Sequence, residues 1–88
     1  MEFEWDENKN KRNIIKHQIA FDDAKEVFKD INRKVSPDLR FDYGESRWVT
    51  IGKMLDAIIV VVYTCRNKVY RLISARYAKK QEREIYNN

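Results

Sequence analysis

The fold of this chain is set by the run Ala57-Ile58-Ile59-Val60-Val61-Val62-Tyr63, its longest apolar stretch. β-Branched residues dominate the run, and a strand built from it is hydrophobic on both faces, which is typical of a central strand. We therefore predict a strand over 57–66. A two-residue turn, Asn67-Lys68, follows, and a last strand is predicted from Val69 to Ala75. The centre of the protein is thus predicted to be a β-hairpin.

Positive charge is concentrated in and just after this hairpin. The segment from Ala57 to Gln81 contains six of the 18 basic residues and none of the 14 acidic ones. The net charge of +4 therefore comes from this segment, and the rest of the chain is slightly acidic. A row of positive charges on a rigid sheet suits a polyanion, and RNA is the polyanion that we favour.

Length and composition limit the class of protein. A chain of 88 residues predicts one domain, 1–88, because it can bury one modest core. The single cysteine, Cys65, excludes an internal disulfide and fits a reducing cytoplasm. The acidic N-terminus lacks a signal-peptide layout, and the apolar run is far shorter than the ~20 residues that span a bilayer. We expect a cytoplasmic protein that does not bind membranes.

Hydrophobic spacing and turn residues predict the other elements. Alternation indicates a strand over Glu2–Trp5, and Asp6 is placed to cap a helix whose apolar side contains Ile14 and Ile15. Ala78 and Ile85 mark the buried stripe of a last helix. The predicted elements also include a helix at about 21–28, strands at 33–36 and 45–52, a loop at 38–44, a connection at 52–56 and the last helix at 78–86.

The predicted order of elements is β-α-α-β-β-β-β-α, which is an α+β fold. Short turns join most of the strands, so we expect a small antiparallel sheet. Two N-terminal helices are expected on one face and a further helix at the C-terminus. The other face of the sheet then stays free to hold a site.

Two groups of residues resemble the BrnT family of bacterial toxins. The first group is the opening Trp5-Asp6-Glu7-Asn8-Lys9, followed by Asn13 and Lys16-His17. The second group is Val61-Val62-Tyr63-Thr64, Arg66, Arg71, Ile73-Ser74-Ala75-Arg76, Ala78, Glu82-Arg83 and Tyr86. Between the two groups, the family pattern is matched by Glu45, Arg47 and Gly52. Order and spacing together make the resemblance specific, and it spans nearly the whole chain.

The resemblance implies a type II toxin with a RelE-like ribonuclease fold that cuts RNA and arrests translation. It also implies a BrnA-like antitoxin, a ribbon-helix-helix protein that neutralises the toxin and binds promoter DNA. The toxin would then meet that DNA only through its partner.

Three positions depart from the family pattern. Gln18 stands where glycine is usual, Ala20 where a small hydroxyl residue caps a helix, and Lys79 where threonine is frequent. A left-handed Gln18 costs on the order of 1 kcal/mol, and each lost cap costs ~1 kcal/mol. These changes affect stability rather than chemistry.

RNA cleavage without a metal requires a proton acceptor for the 2′-OH, a holder for the phosphate and a proton for the 5′ oxygen. Arginine matches phosphate oxygens with its planar fork, and histidine titrates near neutral pH. No cofactor is expected, and no ligand spacing predicts a metal site. The predicted catalytic residues are Arg76, His17, Lys16 and Arg47, and the predicted RNA-binding residues are Arg66, Arg71, Tyr63, Tyr77, Lys79 and Lys80, with the tyrosines stacking on bases.

Each catalytic candidate has a structural alternative. His17 ends a helix, where a protonated imidazole would suit the negative terminus. Lys16 is alternatively a solvated surface charge, and Arg76 alternatively forms a salt bridge with Glu82. In a regular strand Arg71 and Arg76 point to opposite faces, so they line one pocket only if the strand ends or bulges near Ala75.

Two other functions remain open from the sequence. The protein is alternatively a non-catalytic RNA- or DNA-binding module, in which loss of arginines weakens affinity gradually. A second alternative is a protein-interaction subunit whose cationic face meets an acidic partner. A cleavage assay on RNA separates the toxin from both.

Overall fold

The computed structural model describes all residues from Met1 to Asn88 and contains five strands, three α-helices and one 3₁₀ helix. The strands are β1 (Glu2–Trp5), β2 (Lys34–Pro37), β3 (Trp48–Met54), β4 (Ala57–Arg66) and β5 (Val69–Tyr77). The helices are α1 (Glu7–His17), α2 (Phe21–Ala24), the 3₁₀ helix (Lys25–Lys29) and α3 (Lys80–Asn87). The predicted α+β class is confirmed, as is the hairpin formed by β4 and β5.

All five strands form one sheet in the order β1-β5-β4-β3-β2. The neighbours β2–β3, β3–β4 and β4–β5 are antiparallel, whereas β1 pairs with β5 in parallel. The sheet is therefore mixed, and the prediction of an antiparallel sheet is wrong at this edge. Short turns enforce antiparallel pairing only between the strands that they join. The rest of the chain separates β1 from β5, so no turn determines their relative direction.

Several boundaries also differ from the predictions. The second helix is split between α2 and the 3₁₀ helix, β3 begins and ends later than predicted, and β5 continues to Tyr77, which pairs with Ile59. In α3 the predicted buried residue Ile85 is 51% exposed, and Tyr86 is buried instead. The Tyr86 hydroxyl donates a 2.6 Å hydrogen bond to Asp30 Oδ2. This bond fixes the rotation of α3 and turns Ile85 outward.

The two faces of the sheet are covered differently. The helical face packs against α2 and the 3₁₀ helix and holds the larger core, which includes Phe21, Val27, Phe28, Ile59, Val61, Leu72 and Ala75. The open face is the opposite side of the sheet, and α3 covers only part of it through a small cluster of Ile51, Val60, Ala78 and Tyr86. A large part of the open face thus remains available for polar residues, as predicted.

Helix α1 attaches to the sheet through buried asparagines rather than through an apolar stripe. Ile14 and Ile15 are 43% and 79% exposed, so their predicted burial is wrong. Asn13 is buried and exchanges two hydrogen bonds with the backbone of Ala75. Strand β1 pairs only with residues 69–72 of β5, and an amide side chain satisfies backbone groups on the edge beyond that point. The free strand edge, not a hydrophobic surface, therefore determines how α1 packs.

The missing helix caps are replaced from elsewhere in the chain. Ala20 makes no side-chain cap at the start of α2, as predicted, but Asn10 Oδ1 accepts a hydrogen bond from the Phe21 N–H at 2.8 Å. At the start of α3, Glu82 Oε1 accepts from the Lys79 N–H at 2.8 Å. Each helix start thus keeps one partner for its free N–H groups.

Candidate functional site

A β-bulge in β5 brings three polar side chains to the open face. The register between β4 and β5 shifts at Ile73, because Val62 pairs with Ser74 while Tyr63 pairs with Leu72. The extra residue reverses the alternation of β5 beyond that point. On the open face Arg71 therefore lies opposite Thr64, Ser74 opposite Val62 and Arg76 opposite Val60. The condition under which both arginines share one face is met.

The arginines of the open face all have carboxylate partners. The shortest N–O distances are 2.7 Å for Arg71–Glu4, 2.6 Å for Arg66–Glu45, 2.7 Å for Arg76–Glu82 and 2.9 Å for Arg40–Asp38, and Arg47 lies 3.9 Å from Glu45. The acids come from β1, α3 and the loop before β3, outside the basic hairpin. Folding thus neutralises much of the charge that the sequence concentrates there. Arg66 and Arg71 each make one side-chain hydrogen bond to a carboxylate, whereas Arg76 makes two.

Arg76 is held by Glu82 at one edge of its guanidinium group. Nη1 donates to Glu82 Oε1 and Nη2 donates to Glu82 Oε2, both at 2.7 Å, and Nη1 also reaches the carbonyl of Tyr77 at 3.4 Å. A guanidinium carries five N–H bonds, so the Nε–H and one Nη2–H remain without a protein acceptor. These two groups lie on the same side and form a second fork that matches two phosphate oxygens. The hydrogen bonds from Arg76 also lower the pKa of Glu82, which keeps it charged.

Free cations gather in a cleft between α1 and β5, which we name the α1 cleft. It has a volume of about 310 Å³ and is lined by Lys9, Arg12, Asn13, Lys16, His17, Ile73 and Ser74. No carboxylate lines it, and Lys9, Arg12 and Lys16 form none of the ion pairs of the structure. Such a concave, unpaired basic surface attracts anions.

The imidazole of His17 lies at the end of this cleft. Burial lowers the pKa of His17 below its ordinary value, and the nearby charges of Lys16 and Arg76 lower it further. The ring is therefore neutral at pH 7 and able to accept a proton. A neutral ring argues against the alternative in which a protonated His17 stabilises the end of α1.

A second, smaller concavity adjoins the α1 cleft, and we name it the arginine pocket. It has a volume of about 200 Å³ and is lined by Arg40, Val49, Val60, Val62, Ser74, Arg76 and Glu82. Ser74 lines both cavities, so together they make one polar site around the bulge. His17 and Lys16 line the α1 cleft and Arg76 lines the arginine pocket, so these three predicted catalytic residues lie around the bulge.

The other predicted residues do not line either cavity. Arg47 stacks on Tyr43, with its Cζ 3.8 Å from the ring centroid, and its Nε is buried without a hydrogen-bond partner. Tyr63 is only 6% exposed and packs against Phe28, with ring centroids 4.9 Å apart, so it cannot stack on a base. Tyr77 is half exposed at the end of β5. Lys79 and Lys80 stand at the exposed start of α3, and Arg66 and Arg71 are tied to carboxylates toward the opposite end of the hairpin.

The sequence interpretation missed four residues of the site. Lys9 and Arg12 are not among the predicted site residues, although with Lys16 their spacing of three and four residues puts them on one helical face. Ser74 lies in the run that resembles the family but was not predicted as a site residue, and Arg40 had no signal because its position depends on the loop before β3. No three side chains of the metal-binding types come together in the structure, and no helix is long and apolar enough to cross a bilayer.

Fold and site together define a small basic α+β protein with unpaired cations in a concave surface site. Residues 5–82 match the family model of BrnT, the ribonuclease toxin of type II toxin–antitoxin systems. The chain therefore belongs to the BrnT family of ribonuclease toxins, which implies an RNA substrate and an antitoxin partner. A search of curated proteins found no match.

Proposed function

We propose that residues 1–88 form one catalytic domain that cleaves RNA without a metal ion and thereby stops translation. The observation that carries this proposal is the meeting of unpaired cations, a neutral imidazole and a free arginine fork around one bulge. Cations and the fork suit a phosphodiester, and the imidazole suits proton transfer. The α1 cleft supplies the unpaired cations and the imidazole, and the adjoining arginine pocket supplies the fork.

In the proposed reaction, His17 accepts the proton of a ribose 2′-OH, and the 2′ oxygen attacks the adjacent phosphorus. The Nε–H and Nη2–H fork of Arg76 binds the nonbridging oxygens, whose charge grows in the transition state. Lys16 adds positive charge at the same phosphate, and Lys9 and Arg12 bind neighbouring phosphates. The bond from phosphorus to the 5′ oxygen then breaks, and this oxygen takes a proton from water. The hydroxide left by that water takes the proton from His17 and returns the imidazole to its neutral form. The products are a 2′,3′-cyclic phosphate and a 5′-hydroxyl.

The remaining predicted residues have supporting roles in this proposal. Arg66, Arg71, Lys79 and Lys80 bind the RNA backbone beyond the scissile phosphate, and their loss lowers affinity more than rate. Tyr77 is the predicted tyrosine that stays accessible for stacking. Arg47 acts through the loop before β3 rather than at the scissile phosphate, because its guanidinium is covered by Tyr43.

The decisive experiment is cleavage of total RNA by the purified protein in the presence of EDTA. We expect wild-type protein to cleave, and Arg76→Lys to lose about 10²- to 10³-fold in rate, since lysine keeps the charge but not the fork. Lys68→Ala, a cation of the turn between β4 and β5 outside both cavities, is the matched control and should cleave normally. Cleavage that stops with EDTA, or full toxicity of a folded Arg76→Ala variant in cells, would contradict the proposal.

A non-catalytic RNA-binding function is the second candidate, and the pairing of Arg76 with Glu82 favours it. A guanidinium already bound to a carboxylate can hold RNA weakly without promoting reaction. This function predicts salt-sensitive RNA binding and no new 5′-hydroxyl ends at any enzyme concentration. The same assay therefore separates the two candidates.

We also propose a BrnA-like antitoxin of the ribbon-helix-helix class as the partner, in the cytoplasm, with promoter DNA reached only through it. A RelE-like arrangement of the sheet is part of the same proposal. Purified toxin alone should leave operator DNA unshifted in a gel, and the complex should shift it. A shift by the toxin alone would refute the indirect contact.

A further inference from the structure

The loop before β3, residues 38–47, is held in shape by a buried carboxylate, and we name it the aromatic loop. The side chain of Asp38 is 1% exposed and accepts two hydrogen bonds from Arg40, both at 2.9 Å, and one from the Tyr43 hydroxyl at 3.3 Å. The hydrogen bonds from Arg40 lower the pKa of Asp38 to about 2. The Asp38 N–H also donates to the Arg47 carbonyl at 2.8 Å, which closes the two ends of the loop.

This ordered loop presents the exposed aromatic ring of Phe41, which packs against Tyr43. The ring of Tyr43 lies against the Arg47 guanidinium on one side and meets the edge of Phe41 at a centroid distance of 5.8 Å and an angle of 75°. Phe41 itself is 70% exposed. A lone exposed ring needs no explanation, but this one packs against a tyrosine whose hydroxyl is bound to Asp38 and whose face is covered by Arg47. Support of this kind holds a ring ready for stacking at little entropic cost.

Phe41 directly follows in the chain a residue that lines the site proposed for the scissile phosphate. Arg40 lines the arginine pocket together with Arg76 and Ser74, and its charge acts on Arg76. Phe41 follows Arg40 directly, with a Cα spacing of ~3.8 Å, which is shorter than one nucleotide. A phosphate in the pocket therefore brings an adjoining base within reach of Phe41.

We propose that Phe41 is a stacking platform for an unpaired base next to the scissile phosphate, and that Tyr43 and Arg47 support it. The platform rests on the proposed function and specifies its substrate as single-stranded RNA, because a base inside a duplex cannot leave its stack to reach the ring. Stacking accepts every base, so the platform favours unpaired regions rather than a particular sequence. It also explains why the Arg47 guanidinium stacks on Tyr43 although its Nε has no hydrogen-bond partner.

The test measures binding of two probes by fluorescence anisotropy. One is a 2′-O-methyl decamer of adenosine, which cannot be cleaved because its nucleophile is blocked, and the other is the abasic decamer with the same phosphates. Phe41→Ala should weaken binding of the adenosine decamer about 5- to 100-fold and leave the abasic decamer unchanged. Leu39→Ala is the matched control, since Leu39 is 83% exposed in the same loop, and it should change neither affinity. Phe41→Trp should restore binding of the adenosine decamer.

Equal weakening of both probes, or weakening of neither, would overturn the platform. The platform would also be overturned if Phe41→Ala weakened binding of the antitoxin and left binding of both RNA probes unchanged. The ring would then be a contact for the partner protein. Cleavage of total RNA by wild-type protein is measured in parallel. If wild-type protein cleaves but Phe41→Ala affects both probes equally, only the platform proposal is refuted. If wild-type protein does not cleave, the proposed function itself is refuted.

Discussion

Replacement of Asn13 by alanine should undock α1 and with it the lysines and histidine of the proposed site. The Asn13 amide donates to the carbonyls of Ile19 and Ala75 at 2.8 and 2.9 Å, and its oxygen accepts from the Ala75 N–H at 3.1 Å. All three bonds are buried. Alanine removes them together and leaves three backbone groups of the protein without partners.

The size of the effect follows from these three bonds. A net contribution of ~0.5–1.5 kcal/mol applies to each bond, and a buried group left unpaired costs ~1–3 kcal/mol. Asn13 also lines the α1 cleft, so water reaches some of the freed groups and the lower part of the range applies. We expect a loss of about 3–5 kcal/mol in the free energy of unfolding. Domains of this size are stable by only ~5–13 kcal/mol, so the variant should be close to unfolding at 37 °C.

Urea unfolding followed by circular dichroism measures this change. Asn8→Ala is the matched control, because it changes the same residue type on the exposed side of the same helix, and it should stay within ~0.5 kcal/mol of wild type. Asn13→Asp keeps an acceptor but no donor, and it should be destabilised as strongly as Asn13→Ala. A loss of less than ~1 kcal/mol for Asn13→Ala would refute the argument that the amide holds α1 on the strand edge.

Three further predictions concern single residues. Gln18 has a φ of 59°, so Gln18→Gly should raise the free energy of unfolding by about 1 kcal/mol in the same urea assay, and a loss would show that its side chain matters more than its backbone. Tyr86→Phe removes the hydroxyl that donates a hydrogen bond to Asp30 and should lower the free energy of unfolding by ~1.5–3 kcal/mol. An unchanged melting temperature would contradict this prediction. The pKa of His17 is lower in the folded protein than in the unfolded chain, so below about pH 6.5 the unfolded chain binds more protons. The free energy of unfolding therefore decreases as the pH is lowered. Wild-type protein should therefore lose more stability than His17→Gln between pH 7 and 5.5, and parallel losses would contradict the assignment.

Local signals predict the centre of this fold well. The limits of β4 coincide with the predicted strand, and the turn at Asn67-Lys68 has positive φ at both residues, as a tight hairpin requires. Periodicity failed for α1, because the pattern rule assumes that a helix buries apolar residues. Here the helix packs on a strand edge, whose free backbone groups need hydrogen-bonding partners. The buried side of α1 is therefore marked by Asn10 and Asn13 rather than by apolar residues. The parallel pairing of β1 with β5 could not be predicted from the sequence either, since no turn joins these two strands.

The site shows why charge along the sequence differs from charge in space. Arg66, Arg71 and Arg76 belong to a segment without acids, yet each receives a carboxylate from another element. An arginine on an open sheet has long reach, and surface carboxylates near it lose little by pairing. Lys9, Arg12 and Lys16 lie in a part of the chain that is nearly neutral on average, but their spacing turns them away from those acids and into the α1 cleft. The polyanion site that we propose lies at the bulge, where the free cations of α1 adjoin a hairpin arginine with an open second fork.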